Sequence, residues 1–270
     1  MALPPSNPSV IVSVRDLHAE VGGHPLFTGL SFEVRTGEIF AILGRSGAGK
    51  SQLLRYLLGL DCPLAGTCEV LGSDLARASQ AERTEVRRHL GVAFQGGALL
   101  NALSVRDNVE LPLRHHARLD AATRRIMVHL KLELLNLSGI DHLRPAELSG
   151  GMLKRVSIAR AVVMDPPLIF LDEPTAGLDP INANELDALL VKLRDALHTT
   201  IVFVTHAVES ALAIADRVLV LQEGRAVALG SPAQIQGHPS PSVQALLGRA
   251  ARRIDNSPEA YLDRLTAGDD

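Results

Sequence analysis

A chain of 270 residues that is 46% hydrophobic can fold as one large α/β domain or two small ones around a sizeable core, which excludes a disordered chain. Its 27 basic and 30 acidic residues leave a net charge of −3, without the cationic excess of a protein that wraps nucleic acid, so no nucleic-acid partner is expected. The two cysteines, Cys62 and Cys68, have no further Cys or His cluster to complete a zinc site or a disulfide framework, and read as reduced thiols.

In chain order, MALPPSNPSV has neither a basic n-region nor an apolar h-region, so residues 1–9 read as a tail and no secretory signal is expected. From Val10 the segments VIVSVRDLHAEV, LSFEVRTG and EIFAILG have β character and are bounded by glycine or polar turns. A glycine loop follows, and residues 51–60 read as an apolar helix. Between about 98 and 162 the spacing of Leu, Val and Ile turns helical, predicting an inserted helical subdomain. His115, His116 and the arginine pairs at 87–88 and 124–125 read as solvated helix faces.

PLIFLDE (167–173) and TIVFVTH (200–206) are continuous apolar runs of the kind buried in parallel sheets, and no run approaches the roughly 20 apolar residues of a membrane helix. After Gly230, SPAQIQGHPSPS reads as a linker, VQALLGRAARRI as an amphipathic helix, and Ser257-Pro258-Glu259 as a helix start. The expected organisation is a tail at 1–9, one main domain at 10–235 and a linker with a helical extension at 236–270. Helices flanking buried strands make the fold class α/β.

The string GRSGAGKS fits G-x-x-x-x-G-K-[ST] between a strand and a helix, the setting that a phosphate loop needs. Gly44, Arg45, Ser46, Gly47, Ala48 and Gly49 can curl their N–H groups around phosphate oxygens at a helix N-terminus, with Gln52 just inside it. Lys50 reaches the β and γ phosphates, and the Ser51 hydroxyl ligates Mg²⁺. The loop alone says only nucleoside triphosphate. Downstream, Asp172 and Glu173 end a strand at the sheet edge where ligands bind, and adjacent carboxylates there can divide metal-holding and base roles.

LSGGM at 148–152, AGLD at 176–179 and His206 ending TIVFVT complete an ordered set with the phosphate loop, Gln95 in VAFQ and the Asp-Glu strand. In this the sequence resembles the ATP-binding cassette family over residues 10–235. The resemblance implies a P-loop (RecA-like) core with an antiparallel β subdomain and an inserted helical subdomain, and ATP and Mg²⁺ as ligands. It implies that Glu173 polarises the attacking water, that His206 contacts the γ-phosphate, and that Gln95 senses Mg²⁺ and water. It implies too that Ser149, Gly150 and Gly151 close over ATP bound to a second copy, with Asp179 coupling the two sites.

Two positions depart from the family: Met152 stands where Gln is usual, and Val21 where an aromatic often stacks on adenine, with Phe27 nearby. FQGGALLNALSVRDNVELPLR, ELSGGMLKRVSIARA and DEPTAGLDPI resemble the ATPases of Mla/Mce-type lipid transport systems. That resemblance implies an integral membrane permease docking near Gln95 and residues 96–115, a lipid-binding Mce-domain protein, and a cytoplasmic place on the inner face of the membrane. Residues 236–270, with Val243, Leu246, Leu247, Tyr261, Leu262 and Leu265, would add a dimer or partner contact. An importer or exporter ATPase for amino acids, metals or lipoproteins shares every one of these motifs. A cassette ATPase acting on DNA or ribosomes and an idle binding subunit are the remaining alternatives.

Overall fold

The computed structural model describes residues 9–254. In chain order the elements are β1 (Val10–Val21), β2 (His24–Arg35), β3 (Ile39–Leu43), α1 (Lys50–Leu57), β4 (Ala65–Val70), β5 (Ser73–Asp74), α2 (Gln80–Arg88) and β6 (Leu90–Ala93). Three helices follow, α3 (Val105–His116), α4 (Ala121–Leu134) and α5 (Gly150–Val162), then β7 (Leu168–Asp172), α6 (Pro180–Leu197), β8 (Thr200–Thr205) and α7 (Val208–Ile214). The chain continues through β9 (Arg217–Gln222), β10 (Arg225–Gly230), α8 (Pro232–Gln236) and α9 (Pro241–Ile254).

Two sheets organise these elements. One is four-stranded, in the order β2-β1-β4-β5, with β1 antiparallel to both neighbours. The other is six-stranded, in the order β10-β9-β3-β8-β7-β6, parallel except for β10. Every residue of β3, β7 and β8 is buried, which is why these strands read as unbroken apolar runs rather than alternating ones. Alternation reappears in which side each residue serves. Ile39, Ala41 and Leu43 pack into a core with α3 to α7, whereas Phe40 and Ile42 face a second core shared with α1 and the antiparallel sheet.

The register sets the site. Leu43 pairs with Thr205 and Asp172 with Val204, so β3, β7 and β8 end side by side at one carboxyl edge. Helix α1 stops at Leu57, earlier than the expected residue 60, because the chain turns into a left-handed Gly59 at φ 60°. The expected linker at 231–242 contains α8, closed by a capping box between Ser231 and Gln234 with Pro232 in the first turn.

In the C-terminal extension Val243 on α9 is fully buried, while Leu246 and Leu247 pack against the chain's own core and stay partly exposed. Tyr261, Leu262, Leu265 and the Ser257-Pro258-Glu259 start lie outside the described residues. Arg124 is no solvated face: it donates to the buried Glu110 at 2.7 Å, a carboxylate that Arg114 also holds at 2.7 Å. Arg87 reaches back to the carbonyls of Leu58 and Gly59, while Arg88 and Arg125 are exposed as expected.

Candidate functional site

The loop between β3 and α1 is built around two glycine requirements. A Cβ on Gly44 would lie 2.6 Å from the Leu221 carbonyl, and one on Gly49, at φ +90°, about 3.2 Å from the Phe27 ring. The loop is thereby seated against β9 on one side and the β1–β2 hairpin on the other. Lys50 opens α1 almost fully buried, its Nζ donating to the carbonyls of Gly44 at 2.9 Å and Arg45 at 3.1 Å. Ser51 Oγ donates to Asp172 Oδ1 at 3.0 Å, which ties the start of α1 to the end of β7. Gln52 donates to Asp61 at 2.5 Å and also lines the cleft beside the loop.

Glu173 is the most constrained group here. It is buried, and its backbone stands in the left-handed region at φ 50°, an uncommon conformation for a residue with a side chain. Its N–H donates to Val204 O at 2.9 Å. Its carboxylate lies 3.5 Å from Lys50 Nζ and 2.8 Å from His206 Nδ1, and accepts from Thr205 Oγ1 and the His206 N–H at 3.3 Å each. Burial pushes the Asp172 carboxyl up from its ordinary range; the hydrogen bond from Ser51 opposes this, and the neighbouring Glu173 charge adds to it.

Gly47, Lys50, Ser51, Gln95, Glu173 and His206 line one open cleft of about 280 Å³. Ser51, Asp172 and the side-chain amide of Gln95 form a hard oxygen donor set of the kind Mg²⁺ takes, since this ion keeps several waters and accepts one or two protein oxygens beside phosphates. Val21 is exposed at the tip of the β1–β2 hairpin opposite the exposed His24, while Phe27 is buried, so neither Val21 nor Phe27 offers an aromatic face to a base.

Ser149, Gly150, Gly151 and Asp179 do not line this cleft. Ser149 caps α5 by accepting from Met152 N–H at 3.3 Å, a backbone donor that Met supplies as well as Gln. Asp179 caps α6 by accepting from the N–H groups of Ile181 and Asn182 at 3.1 Å each. The two helix starts meet, because a Cβ on Gly151 would lie 3.7 Å from Asn182 Oδ1. Ser149, Gly150 and Asp179 are exposed. The chain thus presents a phosphate-sized cleft and, apart from it, two exposed helix N-termini that share one surface, a second place suited to anions.

Two contacts were missed by sequence reasoning. Thr205 braces Glu173, and nothing in a β-branched residue inside a β run signals that. Lys154 donates to the carbonyls of Glu173 at 2.8 Å and Gln95 at 3.3 Å, and partial burial lowers its pKa against the raising effect of Glu173 and Asp172. Its signal was available, as one of four lysines in a chain with 23 arginines. His115 and His116 are exposed on α3 as expected, at the edge of a groove of about 310 Å³ shared with Leu90, Leu111, Pro112 and Met164.

Comparison with known proteins gives a consistent answer. The family described as ABC transporter matches residues 27–176. The intermembrane phospholipid transport system ATP-binding protein MlaF of Haemophilus influenzae is 39% identical over 225 residues, covering 83% of this chain and 85% of that protein. The sulfate/thiosulfate import ATP-binding protein CysA 2 of Rhizobium meliloti is 39% identical over 244 residues, covering 88% of this chain and 65% of that protein. Among solved structures, the dimeric post-hydrolysis state of the ATP-binding cassette MJ0796 bound to ADP and Pi has a TM-score of 0.75 at 30% identity, covering 82% of this chain and 98% of that one.

Proposed function

The chain belongs to the ABC transporter family and is an ATP-hydrolysing subunit of such a transporter; from that premise we propose that it powers a membrane permease for phospholipid, closing as a pair of identical copies around two ATPs. The observation that carries the hydrolytic part is the Glu173 carboxylate, held 3.5 Å from Lys50 and 2.8 Å from His206 above the phosphate loop.

In this reading the loop N–H groups from Ser46 to Ser51 bind the β and γ phosphates of ATP, and Lys50 turns from the Gly44 and Arg45 carbonyls onto them. The incoming phosphate competes with Glu173 for Lys50. That releases Glu173 to accept a proton from the water whose oxygen forms the new bond to the γ phosphorus as the bond to ADP breaks. His206 keeps Nδ1 on Glu173 and turns its other ring nitrogen to the γ-phosphate. Ser51, Asp172 and Gln95 would hold Mg²⁺, which supplies charge neutralisation at the phosphates.

Ser149, Gly150 and Gly151 meet the ATP of the second copy, with Asp179 beside them on the same surface. Loss of the γ-phosphate removes the group that both copies grip, and the pair loosens. The groove lined by Leu111, Pro112 and His115 would take a cytoplasmic segment of the permease, with the chain on the inner face of the membrane as the similarity to MlaF suggests. Among the described residues no helix is long and apolar enough to cross a membrane.

The phospholipid assignment rests on similarity to MlaF and on the segments around Gln95 and Ser149; the CysA 2 protein is equally identical over a smaller share of its own length. Affinity purification of the tagged chain from detergent-solubilised membranes tests it. A multi-spanning permease with an Mce-domain protein and bound phospholipid is the expected company. A sulfate permease would keep the ATPase mechanism and discard the lipid.

A further inference from the structure

Helix α5 begins with the Ser149 cap and is fastened to three other segments along its length. Arg155 pairs with Glu185 of α6 at 2.6 Å. Ser157 Oγ and the Arg160 guanidinium donate to the carbonyls of Gly97 and Ala98, which holds the loop that follows Gln95. Lys154 is the link that reaches the cleft: its ammonium joins the Glu173 carbonyl at 2.8 Å to the Gln95 carbonyl at 3.3 Å. Glu173 is therefore held in its left-handed turn at both ends of its backbone, by Val204 O on the N–H and by Lys154 on the carbonyl. In a chain with four lysines and 23 arginines, a lysine here is chemically apt, since a compact ammonium radiates three donors and can cap carbonyls arriving from two different segments.

We infer that Lys154 is a positioning residue that ties the backbone of Glu173 to α5, so that engagement of the Ser149 turn by the opposite nucleotide sets the base in this chain's own cleft. The inference rests on the proposed reading in which Ser149 meets the second copy's ATP and Glu173 is the base. A helix is a stiff rod, and Lys154 lies within two turns of its capped end, so a displacement of that end is delivered to the Glu173 carbonyl with little loss. Hydrolysis at the two sites is thereby coupled through α5, in addition to any contact made by Asp179.

Steady-state ATPase kinetics of the full chain test this, with kcat, KM and the Hill coefficient for ATP read together. Lys154→Met keeps the stem and removes the donors; it should lower kcat about tenfold with KM changed less than about twofold, and bring the Hill coefficient toward one. Lys154→Arg, which can still donate to both carbonyls, should recover most of the rate and the cooperativity. Arg160→Met loses only the Gly97 and Ala98 contacts and should keep the wild-type Hill coefficient. Lys154→Leu, which likewise removes every donor, carries the same test should the methionine variant fail to unfold cooperatively. Wild-type kcat and Hill coefficient in Lys154→Met, or the same loss of cooperativity in Arg160→Met, would overturn the inference. A Glu173→Gln chain as active as wild type would instead overturn the reading beneath it, whatever Lys154→Met does.

Discussion

The cleft and the surface that carries Ser149 and Asp179 are both built from helix starts, yet they are finished to different degrees. In the cleft, Lys50 and Glu173 are buried and already joined to His206, Thr205 and the loop carbonyls. Around Ser149 and Asp179 the polar groups are exposed and bonded only to their own helices. A preorganised cluster can act on what enters it, whereas an exposed pair of helix N-termini awaits a partner that brings negative charge. On the proposed reading, one copy would hold a nearly complete catalytic half and an open binding half, to be completed by a second copy.

The largest expected effect breaks the finished half. Glu173→Gln keeps the shape and removes the base, and should lower kcat about a thousandfold while nucleotide binding persists; single-turnover assays beside equilibrium binding check both. Breaking the open half should cost somewhat less. Ser149→Arg leaves the cleft intact, so one copy should bind ATP normally, but turnover should fall about a hundredfold because the partner's nucleotide is no longer met.

Away from both halves, α3 and α4 are clamped to each other by an ion-pair cluster, which sharpens the contrast between structural and catalytic ion pairs. Arg114 and Arg124 hold the Glu110 carboxyl at about 2, below its ordinary 4.5. A depressed folded-state pKa stabilises the fold above pH 4.5, and that contribution fades as pH falls toward 2. Glu110→Gln should therefore lose about 2 kcal/mol at neutral pH, with the gap to wild type closing under acid, as denaturant titrations at several pH values would reveal. ATPase rates per folded molecule should hardly change. The smallest effect concerns the base of the nucleotide: Val21→Tyr restores an aromatic face at the exposed hairpin tip and should tighten ATP binding about threefold, by calorimetry.

Much of this was legible in the sequence because it depends on local patterns. Buried parallel strands are continuous apolar runs, and a phosphate loop needs glycines and Lys50 at fixed spacing, so the α/β core and the loop followed from local pattern, whereas Gln95 and His206 came only from the family resemblance. Contacts between distant segments were not legible. Its rarity marked Lys154, but not that it bridges Gln95 and Glu173, and Arg124 on α4 reaches Glu110 on α3, both through geometry that composition does not carry. The linker reading at 231–242 missed α8 although Ser231, Pro232 and Gln234 spell a capping box, since five residues leave no periodicity to detect. Val243 finds its cover within the same copy, and Leu246 and Leu247 find part of theirs there.

The central claim is that two copies complete one another's sites around ATP, and the mass of the Glu173→Gln chain in solution tests it most directly. Light scattering after size-exclusion chromatography should give a monomer without nucleotide and a dimer with Mg²⁺ and ATP, and Ser149→Arg added to the same chain should return it to a monomer. A chain that binds one ATP per copy and stays monomeric throughout would contradict the account.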